Sequence, residues 1–131
     1  MHPGCPRIPR ILVADDEADQ RFLLHRALRH AGNEVVMAAD GGELLDRIAQ
    51  DGAFDAIVTD INMPWMQGLQ VLASARGAGL MTPVLVVTGL KRPDLEIEVA
   101  RMGHAQLLHK PYSADELRRA VAKLLVSEKQ A

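Results

Sequence analysis

Residues 56–64 of the chain read AIVTDINMP, an apolar run that ends on the carboxylate of Asp60 and is soon followed by a proline. Four other short runs are similarly rich in Val, Ile, Leu and Ala: ILVA at 11–14, VVMAA at 35–39, VLVVT at 84–88 and AQLLH at 105–109. The runs at 11–14, 56–59 and 84–88 are apolar almost without interruption, which is typical of strands buried on both faces of a parallel sheet. The chain is therefore predicted to contain five strands.

Segments with helical spacing lie between these runs. Four apolar residues between Leu24 and Ala31 share one helical face, and Gly32 can end that helix. Capping boxes, in which a side-chain acceptor is followed three residues later by Glu, predict that two other helices start near Asp40 and Ser113.

Two further helices are predicted between the third and the fifth strand. Leu69, Leu72 and Ala73 form a short apolar stripe, and Pro93 suits the first turn of the helix that follows. The resulting order βαβαβαβαβα, with short connections, predicts an α/β fold with a doubly wound parallel sheet and helices on both faces. Ligands of such sheets bind beyond the carboxyl ends of the strands, where the strand order reverses.

The composition limits the classes of protein to which the chain can belong. Its 131 residues suffice for one buried core, and the net charge of -2 argues against the basic surface that direct nucleic-acid binding needs. The single cysteine, Cys5, cannot form an internal disulfide. No long apolar run or signal-peptide pattern is present, so we expect a cytoplasmic protein without a membrane contact.

Charged and polar residues stand where four of the predicted strands end: Asp15 and Asp16, Asp60, Thr88, and Lys110. Because the carboxyl ends of parallel strands meet at one edge of a sheet, these side chains are expected to converge. One ammonium cannot balance three carboxylates, so the cluster predicts a hard divalent cation such as Mg²⁺. A carboxylate in this setting can act as a nucleophile toward a phosphoryl group.

Each of these residues also has an ordinary structural interpretation. Asp15 and Asp16 can cap the first helix, and Asp60 can open a turn. Thr88 can be a plain β-forming residue, and Lys110 a solvated lysine before a proline. Their joint placement at the ends of four strands favours the functional interpretation.

The segments DDE, VTDINMPWMQG, VVTG and LLHKP, in this order, resemble the receiver domain of two-component response regulators. The resemblance extends from Arg10 to Val126. It implies a flavodoxin-like fold in which a five-stranded parallel sheet of order 2-1-3-4-5 is flanked by five helices. The predicted receiver domain spans residues 10–127, between an irregular N-terminal segment at 1–9 and a C-terminal tail at 128–131.

The resemblance implies a role for each residue of the cluster. Asp60 corresponds to the phospho-acceptor, Thr88 to the hydroxyl that bonds a phosphoryl oxygen, and Lys110 to the lysine that pairs with the phosphoryl group. The peptide bond from this lysine to Pro111 is typically cis in the family. The expected switch pair is Thr88 and Leu107, although the family usually has Tyr or Phe where this chain has Leu107. The alternative is that Leu107 is only an apolar residue of the strand.

The Mg²⁺ ligands are likewise implied by the resemblance. Asp16, Asp60 and the backbone carbonyl of Asn62 would bind the ion directly, and Asp15 would act through water. Leu90 and Asn62 would flank the water that hydrolyses the phosphoryl group, and the apolar Leu90 is expected to slow that hydrolysis.

The resemblance implies a single-domain response regulator that receives a phosphoryl group from a sensor histidine kinase or a histidine phosphotransfer protein. It would signal through phosphorylation-dependent contacts with an unknown protein target, as a monomer or as a phosphorylation-dependent dimer. We expect no enzymatic activity beyond its own phosphorylation and slow aspartyl-phosphate hydrolysis. The alternatives are a phosphorelay shuttle that passes the group to another histidine, and a receiver-like binding module that is never phosphorylated. The expected output surface is the last two helices and the strand between them, with Lys91, Arg92, Arg118 and Arg119.

Overall fold

The computed structural model describes residues 8–50, 53–61, 68–89, 91 and 93–130. Five strands and five helices alternate along this part of the chain. They are β1 (Arg10–Ala14), α1 (Ala18–His30), β2 (Glu34–Ala38), α2 (Gly41–Gln50), β3 (Ala56–Asp60), α3 (Gly68–Gly77), β4 (Val84–Thr88), α4 (Leu95–Met102), β5 (Ala105–His109) and α5 (Ala114–Gln130).

The strands form one parallel sheet in the order β2-β1-β3-β4-β5, which confirms the predicted α/β architecture. The direction of strand succession reverses between β1 and β3. The loops that follow these two strands therefore diverge to opposite faces and leave a crevice at the carboxyl edge of the sheet.

The sheet separates two clusters of buried apolar side chains. Side chains of α2, α3 and α4 pack on one face, and those of α1 and α5 pack on the other. Every residue of β3 and β4 is buried, as is every residue of β1 after Arg10. The edge strands β2 and β5 are only partly buried, which agrees with their less continuous apolar sequences.

The two capping boxes form hydrogen bonds at the starts of their helices. The Glu116 N–H donates to Ser113 Oγ, and the Ser113 N–H donates to Glu116 Oε1, both at 3.0 Å. Before α2, the Glu43 N–H donates to Asp40 Oδ1 at 2.8 Å, whereas Glu43 Oε1 accepts from the N–H of Ala39 at 3.2 Å. The local sequence therefore fixes where α2 and α5 begin.

Three details differ from the sequence-based expectations. The apolar stripe of α3 includes the buried Ala75 and not the exposed Ala73, because the side of the helix that carries Leu72 and Ala75 packs against the sheet. Pro93 precedes α4, whose first residue is Leu95, and does not lie in its first turn. Helix α5 continues to Gln130, past the predicted domain boundary at residue 127.

Arg76, near the end of α3, binds backbone carbonyls at the amino edge of the sheet. Its guanidinium donates to five of them at 2.7–3.3 Å: those of Leu80, Thr82, Met102, Gly103 and His104. These carbonyls precede β4 or connect α4 to β5, so one side chain joins both connections. Gly103 and His104 have φ angles of 72° and 49°, and Arg76 binds the carbonyls of both residues in this left-handed backbone.

Within the described part of the chain, none of the helices combines the length and the apolar character needed to cross a membrane.

Candidate functional site

Three carboxylates meet at the carboxyl edge of the sheet. Asp60 is the last residue of β3, and Asp15 and Asp16 directly follow the neighbouring strand β1, whose Ala14 pairs with Thr59. One carboxylate oxygen from each of the three acids lies within 4.8 Å of the other two. The predicted convergence of these residues is therefore present in the fold.

Lys110 brings a cation to this cluster from the end of β5. Its Nζ lies 2.9 Å from Asp60 Oδ2 and 3.7 Å from Asp15 Oδ2. The Lys110 N–H also donates to the Thr88 carbonyl at 2.8 Å, which ties the start of this loop to the end of β4. The peptide bond from Lys110 to Pro111 is cis, as the family resemblance implies.

Asp15 is the most deeply buried acid of the cluster, with 1% of its surface exposed. Its Oδ1 accepts the Glu17 N–H at 2.9 Å, and its backbone carbonyl accepts Arg21 Nη1 at 2.8 Å. Burial raises the pKa of the Asp15 carboxyl above its ordinary value, because the bond from Glu17 and the charge of Lys110 offset the desolvation only in part.

The pKa of Lys110 is also raised, although partial burial by itself lowers it. The hydrogen bond and the charge of Asp60 outweigh that desolvation, and Asp15 adds to their effect. Lys110 is therefore an ammonium throughout the neutral range. It supplies one positive charge against the three negative charges that the carboxylates carry when ionised.

The cluster has the donor chemistry of a site for a hard divalent cation. Among the described side chains, Asp15 Oδ2 is a buried oxygen that accepts no hydrogen bond, and its nearest recorded cation is Lys110 at 3.7 Å. Asp16 is exposed and leaves its carboxylate accessible from solvent. Oxygen ligands with uncompensated negative charge are those that Mg²⁺ prefers, so these residues fit this ion.

The two predicted switch residues lie on neighbouring strands. Thr88 ends β4, is fully buried, and lies one position beyond Val87, which pairs with Asp60. Leu107 lies in the edge strand β5, is partly buried, and packs against the buried apolar side chains between the sheet and helices α2, α3 and α4. Thr88 is therefore adjacent to the acidic cluster, whereas Leu107 belongs to the packing on one face of the sheet.

Several predicted residues lie outside the described part of the chain. They are Asn62, the proposed backbone ligand; Leu90, the proposed neighbour of the hydrolytic water; and Arg92 of the expected output surface.

Sequence reasoning did not single out Tyr112, which stands beside the cluster. This tyrosine follows Lys110 and Pro111 and is partly buried against the core beneath α1 and α5. Burial raises the pKa of its phenol, and the charge of Lys110 offsets part of that rise. The available signal was an aromatic residue two positions after the lysine, because aromatic side chains bury a large apolar area when they pack against a core.

Comparison with known proteins gives one consistent family. The family model described as "Response regulator receiver domain" matches residues 11–122. The chain is 39% identical over 117 residues to the transcriptional regulatory protein PrrA of Mycobacterium tuberculosis, covering 89% of this chain and 50% of that protein. It is also 39% identical over 116 residues to the response regulator MprA of the same species, covering 88% and 50%. The chain thus spans about half the length of these curated relatives.

Solved structures agree with this result. The Francisella response regulator 1452 receiver domain superposes with a TM-score of 0.85 at 32% identity, covering 92% of this chain and 98% of that one. The chemotaxis protein CheY4 of Vibrio cholerae superposes with a TM-score of 0.83 at 32% identity, covering 91% and 100%.

Proposed function

Because the chain belongs to the response regulator receiver domain family, we propose that it accepts a phosphoryl group on Asp60 and changes its protein contacts as a result. The donor is a phosphohistidine of a sensor kinase or of a phosphotransfer protein. The observation that carries the proposal is the position of Asp60, at the end of a buried strand and bonded to Lys110 at 2.9 Å.

The shape of the site supports Asp60 as the acceptor. Asp15 is more deeply buried and is held by the Glu17 N–H, whereas Asp16 is exposed and lies outside the sheet. Asp60 retains some exposure, at 8%, and contacts the cation that would meet an incoming phosphoryl group. Its carboxylate is therefore the best placed of the three to attack phosphorus.

The chemistry is a transfer between two nucleophiles. A carboxylate oxygen of Asp60 forms the new P–O bond while the P–N bond of the phosphohistidine breaks, and the electron pair of that bond stays on the imidazole. The Lys110 ammonium neutralises charge on the phosphoryl oxygens during this step.

Asp15, Asp16 and Asp60 are the described residues that would hold Mg²⁺. The ion supplies positive charge to the phosphoryl oxygens when it is bound. The chain's own residues provide the remaining requirements, namely a nucleophile, a fixed ammonium and a position at the sheet edge that a donor can approach.

Phosphorylation is proposed to change the surface of α4, β5 and α5, because Thr88 and Lys110 link the site to these elements. Thr88 ends the strand that precedes α4, and Lys110 begins the loop that precedes α5. We propose no other catalytic activity for this part of the chain. The outputs of PrrA and MprA are not carried over, since the chain matches only half of each.

The test is the intact mass of the protein after incubation with acetyl phosphate and Mg²⁺. We expect one added phosphoryl group on the wild type, and none on Asp60→Asn or in the presence of a chelator. Asp46→Asn removes an exposed carboxylate from α2 and serves as the matched control, which should be phosphorylated like the wild type. A folded protein that takes up no phosphoryl group, or an adduct that persists in Asp60→Asn, would refute the proposal.

A further inference from the structure

Arg21 connects helix α1 to the loop that carries two acids of the cluster. Its Nη1 donates to the backbone carbonyl of Asp15 at 2.8 Å, and its own N–H donates to the carbonyl of Glu17 at 2.9 Å. Residues 15–17 form the whole connection between β1 and α1. The side chain of Arg21 therefore binds the peptide that joins Asp15 to Asp16, and both of these acids belong to the cluster.

The Asp15 end of this loop is held by further hydrogen bonds. The Asp15 N–H donates to the Ala38 carbonyl at 3.2 Å, and Asp15 Oδ1 accepts the Glu17 N–H at 2.9 Å. For the Asp15 carbonyl, the hydrogen bond that the described residues supply is the one from Arg21. Because a peptide unit is planar, the position of this carbonyl also sets the direction in which the backbone enters Asp16.

Asp16 depends on this backbone for the placement of its side chain. It is exposed, and within the part of the chain that the structure describes its carboxylate forms no hydrogen bond or ion pair. A carboxylate of this kind is oriented by whatever fixes the backbone that carries it. In metal sites, groups that orient a ligand without touching the ion have a large effect on metal affinity.

Arg21 acts on the geometry of the cluster and not on its charge. Burial raises the pKa of the Asp15 carboxyl, and the charges that modify this pKa are those of Lys110, Asp60 and Asp16. The Arg21 guanidinium is partly buried, and its polar partner among the described residues is the Asp15 carbonyl. Loss of Arg21 would therefore change the direction of a carboxylate and leave the balance of charges around it nearly the same.

We propose that Arg21 is a positioning residue for the cation of the acidic cluster. By binding the Asp15 carbonyl, its guanidinium keeps the Asp16 carboxylate directed toward those of Asp15 and Asp60, so that all three present oxygens to one Mg²⁺ ion. The inference rests on the proposed function for the identity of this ion. It extends to phosphorylation, because transfer to Asp60 needs the ion in place.

The first test is calorimetric titration of the full chain with Mg²⁺. Arg21→Met removes the donor, keeps an unbranched apolar stem, and should raise the dissociation constant of Mg²⁺ about tenfold. Arg21→Lys should bring it to within about threefold of the wild type, because one carbonyl requires only one donor. Arg29→Met makes the same change at an exposed position of α1 and is the matched control, which should bind Mg²⁺ like the wild type.

A second measurement reads the loop without the ion. In chelator, the exchange of the Glu17 amide hydrogen with deuterium reports the bond to Asp15 Oδ1, and the amide of Leu12 within β1 reports opening of the whole fold. Arg21→Met should accelerate the exchange of Glu17 more than that of Leu12. Equal acceleration at both amides would show a loss of overall stability and would contradict a local role.

A purely structural role for Arg21 predicts a different result. If this side chain only stabilises the start of α1, Arg21→Met lowers the midpoint of urea denaturation in chelator and leaves the dissociation constant of Mg²⁺ unchanged. That result would overturn the proposal, as would Mg²⁺ binding that Arg21→Lys recovers no better than Arg21→Met. Circular dichroism establishes that each variant is folded, and Arg21→Gln, whose shorter side chain cannot reach as far, replaces a Met variant that does not fold.

The effect on phosphorylation is measured with acetyl phosphate over a series of Mg²⁺ concentrations. In Arg21→Met, the Mg²⁺ concentration that gives half of the maximal rate should rise about tenfold. The rate at saturating Mg²⁺ should stay close to that of the wild type, because the contact between Asp60 and Lys110 is unchanged. Equal slowing at every Mg²⁺ concentration would overturn the link to the ion. Calorimetry needs no phosphorylation, so failure of this inference is distinguishable from failure of the proposed function.

Discussion

Lys110 Nζ lies 2.9 Å from Asp60 Oδ2 and thereby joins the end of β5 to the end of β3, across the intervening strand β4. The same ammonium is 3.7 Å from Asp15 Oδ2. One cation is thus shared by two carboxylates that belong to adjacent strands. Any second cation that enters this cluster must do so against the charge of Lys110.

Replacement of Lys110 by Met should therefore separate two electrostatic effects of the ammonium, the repulsion of Mg²⁺ and the stabilisation of the phosphoryl oxygens. Without the ammonium, Mg²⁺ no longer meets a neighbouring positive charge, so its dissociation constant should fall about fivefold or more. Phosphorylation by acetyl phosphate should nevertheless slow, because the phosphoryl oxygens lose a partner. Calorimetry with Mg²⁺ and intact mass against time measure the two effects. Lys123→Met on the exposed face of α5 is the control, and weaker Mg²⁺ binding in Lys110→Met would contradict this account.

Asp15→Asn should stabilise the protein in the presence of a chelator. Burial of the ionised Asp15 carboxylate is unfavourable, as its raised pKa indicates, and Asn retains an oxygen that can accept the Glu17 N–H. We expect the free energy of unfolding in urea to rise by about 1 kcal/mol at neutral pH. Asp19→Asn, at an exposed position in α1, should change it little. A less stable Asp15→Asn would show that the charge of Asp15 is well compensated without a metal.

The stability of the protein should depend on pH through the titration of the Asp15 carboxyl group. A raised pKa in the folded state means that the folded protein binds more protons than the unfolded chain between the two pKa values of Asp15. Its favourable contribution is therefore complete below the unfolded value of about 4 and is lost as the pH rises through the folded value. Urea denaturation in chelator, repeated from about pH 4 upward, should give this slope in the wild type. A similar slope in Asp15→Asn would assign the effect to another group.

Addition of Mg²⁺ should stabilise the wild type more than Asp15→Asn. An ion that binds only the folded state stabilises it in proportion to its affinity, and Asp15→Asn removes one of the negative charges that attract the ion. The increase in the free energy of unfolding between chelator and saturating Mg²⁺ should thus be larger for the wild type than for Asp15→Asn. An equal increase in both proteins would place the ion away from Asp15.

Arg76→Ala should destabilise the protein at the edge opposite to the acidic cluster. The variant loses hydrogen bonds to five carbonyls, several of which are partly buried, and the expected cost is about 3 kcal/mol. Arg76→Lys should recover only part of this, because an ammonium lacks the planar array of donors. Midpoints of urea denaturation measure both, with Arg101→Ala at an exposed position of α4 as the control. Full recovery by Lys would contradict the role of the planar guanidinium.

The strands and the acidic cluster could be predicted from the sequence because both depend on local signals. Val-rich runs mark the buried strands, and the parallel order then brings Asp15, Asp60 and Lys110 to one edge. The hydrogen bonds of Arg76 had no such signal, since an arginine near the end of a helix ordinarily remains in solvent. Its acceptors lie in two segments, one before β4 and one that begins at Met102, the last residue of α4, 26 residues away along the chain.

A groove that lies between α1 and α5 was also beyond sequence reasoning. Leu23 and Ala27 fit an amphipathic helix, but the space between them and α5 depends on how the two helices lie on the sheet. The same dependence explains α3, where Ala75 is buried and Ala73 is exposed. The spacing of apolar residues identifies one face of a helix. Which residues at the border of that face are buried depends on how the helix packs against the sheet.

The carbonyls held by Arg76 have a mechanical consequence for signalling. Three of them, the carbonyls of Met102, Gly103 and His104, lie where α4 ends and the connection to β5 begins, at the amino edge of the sheet, and a single side chain fastens them to α3. Under the proposed function, a change at Thr88 would displace the near end of α4 while Arg76 holds its far end. We therefore expect α4 to tilt, with its first turn moving and its last residue, Met102, staying in place because Arg76 binds its carbonyl.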